Sequence, residues 1–258
     1  RFMDECLYLY MEEDMKKIVK FGGSSLADAN QFKKVKDIIQ EDESRKFVVC
    51  SAPGKRHGKD NKVTDLLLMC YQLASHDLGY EEVLDQIEMR FQSINDELDL
   101  GIALDFLFEE IKHNIENGAS EAYLVSRGEY LNGILLAKYL DFEFVDACEV
   151  IKFKEDGRLN SELTEELLSE RLKKAGNAVV PGFFGSDEEG NIVTFSRGGS
   201  DITGSIVADA IHADLYENWT DVPGFLIADP NIVENPEPMG KVTHKELREL
   251  SYMGAPVI

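Results

Sequence analysis

The junction Ile18-Val19-Lys20-Phe21-Gly22-Gly23-Ser24-Ser25 constrains the fold of this chain more than any other stretch. A β-branched apolar run predicts a strand over 16–21, and the apolar spacing of 27–41 predicts a helix. Strand, paired glycines, small hydroxyls and helix start together make an anion site. Glycines let backbone N–H groups approach phosphate oxygens closely. The helix N-terminus adds about 0.3–1 kcal/mol for an anion. Lys20 places a full charge at the strand end. Ser24 or Ser25 also suits a plain helix cap, so both readings stand. The lysine precedes the glycines, which excludes the G-x-x-x-x-G-K-[ST] loop.

The same alternation continues. Strands are predicted at 46–50, 142–146 and 178–181, and one closes at Trp219. Helices are predicted at 129–141, 162–174, 200–212 and 243–253. The stretch 63–117 is helical with breaks near 77–79 and 99–101, whereas 51–61 and 183–191 are loop and turn. Alternating strands and helices predict an α/β fold: a three-layer sandwich with a mainly parallel central sheet. Ligands of such sheets sit beyond the carboxyl ends of the strands. Gly22-Gly23, the loop after Cys50 and Gly182 all fall there.

The 258 residues are 43% hydrophobic, enough for a sizeable core. Forty-nine acidic against 27 basic residues give a net charge of −22. Such a surface repels nucleic acid and anionic membrane, so neither is an expected partner. Any anionic substrate needs a locally basic site. Lys55, Arg56, Lys59 and Lys62 are one candidate, or else a solvated loop. The four cysteines lie far apart and form no C-x-x-C pair, which fits reduced thiols in the cytoplasm. The histidines have no metal-ligand spacing, so no protein metal site is expected. No apolar run approaches the ~20 residues of a membrane span. Residues 1–14 do not blend with the rest of the chain and read as an upstream or appended segment, with Met11 or Met15 near the natural start.

Three further motifs carry chemistry. In Ser196-Arg197-Gly198-Gly199-Ser200-Asp201, Arg197 offers a planar fork for a carboxylate. Ser200 or Asp201 also fits a helix cap. Ser126-Arg127-Gly128-Glu129 matches a capping box, or else supplies Glu129 to a substrate ammonium. In Trp219-Thr220-Asp221-Val222-Pro223-Gly224, Thr220 and Asp221 suit a purine or ribose edge, or an Asx-type turn. Ser51-Ala52-Pro53-Gly54 and Val63-Thr64-Asp65 are similarly open, with Thr64 a credible cap.

Together these segments resemble the catalytic domain of the aspartate kinases, within the amino acid kinase family. The matching pieces run in order: Lys-Phe-Gly-Gly-Ser-Ser, Ser-Ala-Pro-Gly with Val-Thr-Asp, Ser-Arg-Gly-Glu, Ser-Arg-Gly-Gly-Ser-Asp, and Trp-Thr-Asp-Val-Pro-Gly with Ala-Asp-Pro. They extend from residue 16 to near the end, so 15–258 would be the catalytic domain. Relatives continue into regulatory ACT domains that this chain does not contain. The resemblance implies ATP-dependent phosphorylation of the aspartate side-chain carboxylate, with Mg2+ riding on the ATP phosphates. It implies that Lys20, Asp201 and Arg197 are catalytic, with Asp201 orienting Lys20. Ser51, Thr64, Glu129, Arg197 and Ser200 would hold aspartate. Lys20, Phe21, Gly22, Gly23, Ser24, Gly199, Thr220, Asp221, Phe225 and Asp229 would border the nucleotide. The full-length relative would be a homo-oligomer. Three positions depart from the family: Phe225 for tyrosine, Asn231 for a basic residue, and Pro256 for lysine. Two other readings are another amino acid kinase of the same fold and a nucleotide-binding regulatory module without turnover.

Overall fold

The computed structural model describes residues 15–196, 198–220, 233–237 and 239–240. Strands β1 (Lys17–Phe21), β2 (Arg45–Cys50), β3 (Glu143–Phe144), β4 (Ala178–Pro181) and β7 (Leu215–Trp219) form one sheet in the order β3-β4-β2-β1-β7. Every pairing within it is parallel. A separate antiparallel hairpin joins β5 (Phe184–Ser186) to β6 (Ile192–Thr194). The helices are α1 (Ala29–Gln40), α2 (Val63–Ser75), α3 (Glu81–Glu97), α4 (Leu104–Glu116), α5 (Glu121–Leu140), α6 (Ala147–Val150), α7 (Ser161–Ala175) and α8 (Gly199–Ala210).

Both faces of the sheet are covered, which explains the near-continuous apolar strands. Side chains alternate between two cores. Val19, Phe21, Val48, Cys50 and Val179 face α1 to α5. Ile18, Phe47, Val49, Ala178 and Val180 face α6 to α8. The three-layer, mainly parallel architecture expected from the sequence is the one observed. Local signals account for several elements. The Asp28 carboxylate accepts from the Gln31 N–H and starts α1, whose Ala29, Phe32, Val35 and Ile39 form its buried stripe.

Three expectations change. Helix α5 begins at Glu121, not at 129, because Ser120 caps it by accepting from the Tyr123 N–H. Ser126 to Glu129 therefore lie buried inside α5, and the capping-box reading fails. The connection after residue 183 contains the β5–β6 hairpin, tightened by an Asp187 carboxylate that accepts from Glu189 and Asn191 N–H groups. The strand expected at 142–146 shrinks to the two residues of β3. The helix expected at 243–253 lies outside the described residues. Among the described residues no helix is long and apolar enough to cross a membrane.

Candidate active site

Phe21, Cys50, Pro181 and Trp219 end their strands in register, so the loops after them share one edge of the sheet. Backbone bonds knit those loops together. Gly22 N–H donates to Trp219 O, Ser51 N–H to Phe21 O, Gly54 N–H to Gly23 O and Gly182 N–H to Cys50 O, at 2.8–3.1 Å. Gly182 is there because α8 passes close by: a Cβ would sit 2.6 Å from Ser200 Oγ. The first turn of α8 is thereby held against the end of β4.

Two adjoining cavities open on this edge. The larger, about 460 Å³, is lined by Gly23, Ser24, Ser51, Lys55, Lys62, Thr64 and Glu129, with the backbone of 52–54. The smaller, about 200 Å³, is bounded by Phe183 and Gly198–Asp201, and shares Ser51, Thr64 and Glu129 with the first. The cap readings of Thr64, Ser200 and Asp201 fail, because α2 and α8 start at Lys62 and Gly198 without a side-chain cap. Their side chains line the cavities instead.

Two charged groups dominate the cleft. Lys20 is 7% exposed, and its Nζ lies 2.8 Å from Asp201 Oδ1. Asn218 Nδ2 donates to the same oxygen at 3.0 Å. One helix and two adjacent strands thus hold an ammonium–carboxylate pair beside the glycine turn. Glu129 is 5% exposed and its Oε2 has no hydrogen-bond partner. Burial pushes its carboxyl up to about 8, against an Ala52 N–H that donates to it and a more distant Arg127 guanidinium. A buried acid with an open acceptor oxygen is costly unless a cationic group meets it.

The structure therefore brings Lys20, Gly22, Gly23, Ser24, Ser51, Thr64, Glu129, Gly199, Ser200 and Asp201 to one edge. Thr220 follows β7 there, its Oγ1 3.9 Å from where a Gly22 Cβ would be. The Phe21 side chain is a different matter. It is fully buried in the core and stacks on Trp219 with ring centroids 6.4 Å apart, leaving only its backbone toward the cleft. Arg197, Asp221, Phe225, Asp229, Asn231 and Pro256 lie outside the described residues.

Residues that motif reading missed also contribute. Asn132, one turn beyond Glu129, donates from Nδ2 to Ser51 O at 2.7 Å and ties α5 to the loop after β2. Phe183 adopts a positive φ of 80°, an uncommon conformation for a bulky residue, and forms one wall of the smaller cavity. A strained non-glycine φ leaves no sequence signature. Of the basic cluster, Lys55 and Lys62 line the larger cavity, while Arg56 is occupied by Asp60 at 2.8 Å. Among the described residues no group of three or more His, Cys, Asp or Glu side chains is arranged to hold a metal ion. Cys50, Cys70 and Cys148 are free thiols.

The comparisons with known proteins agree with this geometry. The model of the amino acid kinase family matches residues 15–258. Aspartokinase 3 of Bacillus subtilis is 40% identical over 255 residues, covering 92% of this chain and 56% of that protein. The crystal structure of Clostridium acetobutylicum aspartate kinase superposes with a TM-score of 0.88 at 52% identity, over 92% of this chain and 55% of that one. E. coli aspartokinase III in complex with aspartate and ADP gives 0.77 at 28% identity, over 94% and 57%. The chain spans a little over half the length of these relatives.

Proposed function

Since the chain belongs to the amino acid kinase family, we propose that it transfers the γ-phosphoryl group of ATP to the side-chain carboxylate of L-aspartate. The products are 4-phospho-L-aspartate and ADP, and the reaction is the first step toward lysine, threonine and methionine. The observation that carries this reading is the buried Glu129 carboxylate, its free oxygen opening on a cleft that also holds the Lys20–Asp201 pair. Its support from relatives is the E. coli aspartokinase whose complex contains aspartate and ADP.

The chemistry follows from the charges. A carboxylate nucleophile is ionised at neutral pH and needs no strong general base. The obstacle is bringing two anions together and stabilising the phosphoryl group in transit, so positioning and electrostatics carry the catalysis. One aspartate β-oxygen forms the new O–P bond as the bond from γ-phosphorus to the bridging oxygen breaks, and ADP departs with that electron pair. Lys20 stabilises charge on the transferring group, and Asp201 holds its ammonium in place. Backbone N–H groups of Gly22, Gly23, Ser24 and Gly199 support the phosphates. Glu129 accepts from the substrate ammonium, Arg197 takes the α-carboxylate, and Ser51, Thr64 and Ser200 complete the pocket. Thr220, Asp221, Phe225 and Asp229 border the nucleotide, with Phe21 contributing backbone only. Mg2+ arrives with ATP, where it neutralises phosphate charge.

In this reading residues 15–258 form one catalytic domain acting in the cytoplasm, and the full-length protein is a homo-oligomer. The test is an acyl-phosphate trap with hydroxylamine, MgATP and, in turn, aspartate, glutamate and acetylglutamate. Hydroxamate from aspartate alone is expected. Its absence with aspartate, or its formation from acetylglutamate, would overturn the assignment.

A further inference from the structure

The loop that leaves β2 and returns to α2 brings Lys55 and Lys62 to the larger cavity. Both ends of this loop rest on one side chain from a helix outside all the motifs. Arg90 of α3 is 6% exposed. Its Nη1 donates to Asn61 O and its Nη2 to Gly54 O, each at 2.6 Å. Nη2 also lies 3.6 Å from Asp60 Oδ2. Asp60 is in turn engaged by Arg56, through the backbone N–H at 3.0 Å and Nε at 2.8 Å. The loop is thus closed on itself by Arg56 and Asp60 and held at both feet by Arg90. Each foot immediately precedes a cavity lysine: Gly54 precedes Lys55 and Asn61 precedes Lys62. Gly54 N–H donates to Gly23 O at 2.8 Å, so the same foot is tied to the glycine turn after β1.

Burying a guanidinium is costly, and here its Nε has no hydrogen-bond partner. An aliphatic side chain would fill the same space more cheaply. What only arginine supplies is a rigid planar fork that reaches two carbonyls at a set separation. In a chain of net charge −22, an incoming polyphosphate must be met by local positive charge. Lys55 and Lys62 provide it only if their loop stays seated.

We propose that Arg90 is a positioning residue for phosphoryl transfer, acting through Lys55 and Lys62, which receive the charge of the nucleotide's terminal phosphate in the larger cavity. This rests on the kinase reading above. The test is a cycle on the 258-residue chain: parent, Arg90→Lys, Lys55→Met/Lys62→Met, and the triple variant. A lysine keeps the charge but cannot bridge both carbonyls. Arg90→Lys is expected to lower kcat/KM for ATP about tenfold in the parent, and by less than about twofold where the two lysines are gone. Its effect on Tm should be equal in both backgrounds. Equal losses of kcat/KM with and without the lysines would show a merely structural arginine and overturn the proposal. So would an unchanged kcat/KM in the single variant. Should Arg90→Lys not accumulate as folded protein, Arg90→Gln takes its place in the cycle. If the parent makes no acyl phosphate, the kinase reading fails on its own. Calorimetric titration of the same four proteins with ATP then decides the positioning role by the same comparison.

Discussion

Glu129 has an ordinary carboxyl pKa of 4.5 when exposed, and burial raises it to about 8 in the folded chain. Between these values the folded state binds the extra proton. The stability linked to this group is therefore fully present below about pH 4.5 and is lost as pH rises to about 8. Glu129→Gln removes that dependence, because glutamine has no charge to bury. The variant should gain in Tm relative to the parent as pH is raised from 5 to 8.5, by scanning calorimetry; a parallel pair of curves would show that Glu129 does not titrate in this range. On the kinase reading the same substitution removes the partner of the substrate ammonium. KM for aspartate should rise while the affinity for ATP stays within about twofold, since only the amino-acid contact is touched. Aspartate binding at pH 7 should also release a proton from Glu129, visible as a binding enthalpy that depends on the buffer. Lys20 poses a different question. Its charge would act mainly on the transition state, so Lys20→Ala should cost about 3–4 kcal/mol, or roughly 10²–10³ in kcat. Near-normal turnover in single-turnover assays would make the Lys20–Asp201 pair a structural one.

Helix α5 sets the position of Glu129, and two of its residues separate stability from site geometry. Ser120 caps it far from the cleft. Ser120→Ala should lower stability by about 1 kcal/mol and leave KM for aspartate unchanged. Gly128 lies where α5 crosses the loop after β2, and a Cβ there would be 2.8 Å from Ala52 Cβ and 3.3 Å from Leu67 Cδ1. Alanine gains about 1 kcal/mol of helix propensity at that position but meets an overpacking penalty of about 1–3 kcal/mol. The helix or the loop must move, and Ala52 supplies the N–H that reaches Glu129. Gly128→Ala should therefore raise KM for aspartate well beyond its modest loss in Tm. A kinetic profile like that of Ser120→Ala would mean that α5 absorbs the methyl without shifting Glu129.

At the scale of the molecule, the two cores are built on the same strands. β1 sends Val19 and Phe21 to one face and Ile18 to the other, and β2 and β4 divide likewise. Neither helical layer can leave without exposing one full face of the sheet to water, which argues for one cooperative unit. The chain has a single tryptophan, Trp219, at the end of β7 and stacked on Phe21. Its fluorescence reports the sheet edge, whereas far-ultraviolet circular dichroism reports mostly the helices. The two signals should trace one urea transition with the same midpoint. Separated midpoints would mean that the helical layers detach independently.

Much of this organisation was legible in local residue patterns. The apolar runs of β1, β2 and β4, each stopped by glycine or proline-rich turns, predicted a parallel sheet and the edge on which its ligands lie. That works because side-chain period and turn chemistry are properties of neighbouring residues. Local patterns failed where they were degenerate. Ser126 and Glu129 satisfy a capping box as well as Ser120 satisfies a cap, and only the packing of α5 against Ala52 and Leu67 places that motif in mid-helix. Likewise, four basic residues between 55 and 62 look alike in sequence. Arg90, some thirty residues away, and Asp60 decide that Lys55 and Lys62 face the cavity while Arg56 turns to an ion pair. The buried, unpaired state of the Glu129 carboxylate is of the same kind. Composition determines that a carboxylate is present, but its charge depends on how completely the surrounding elements exclude water, and that is decided only when strands and helices distant in the chain close around it.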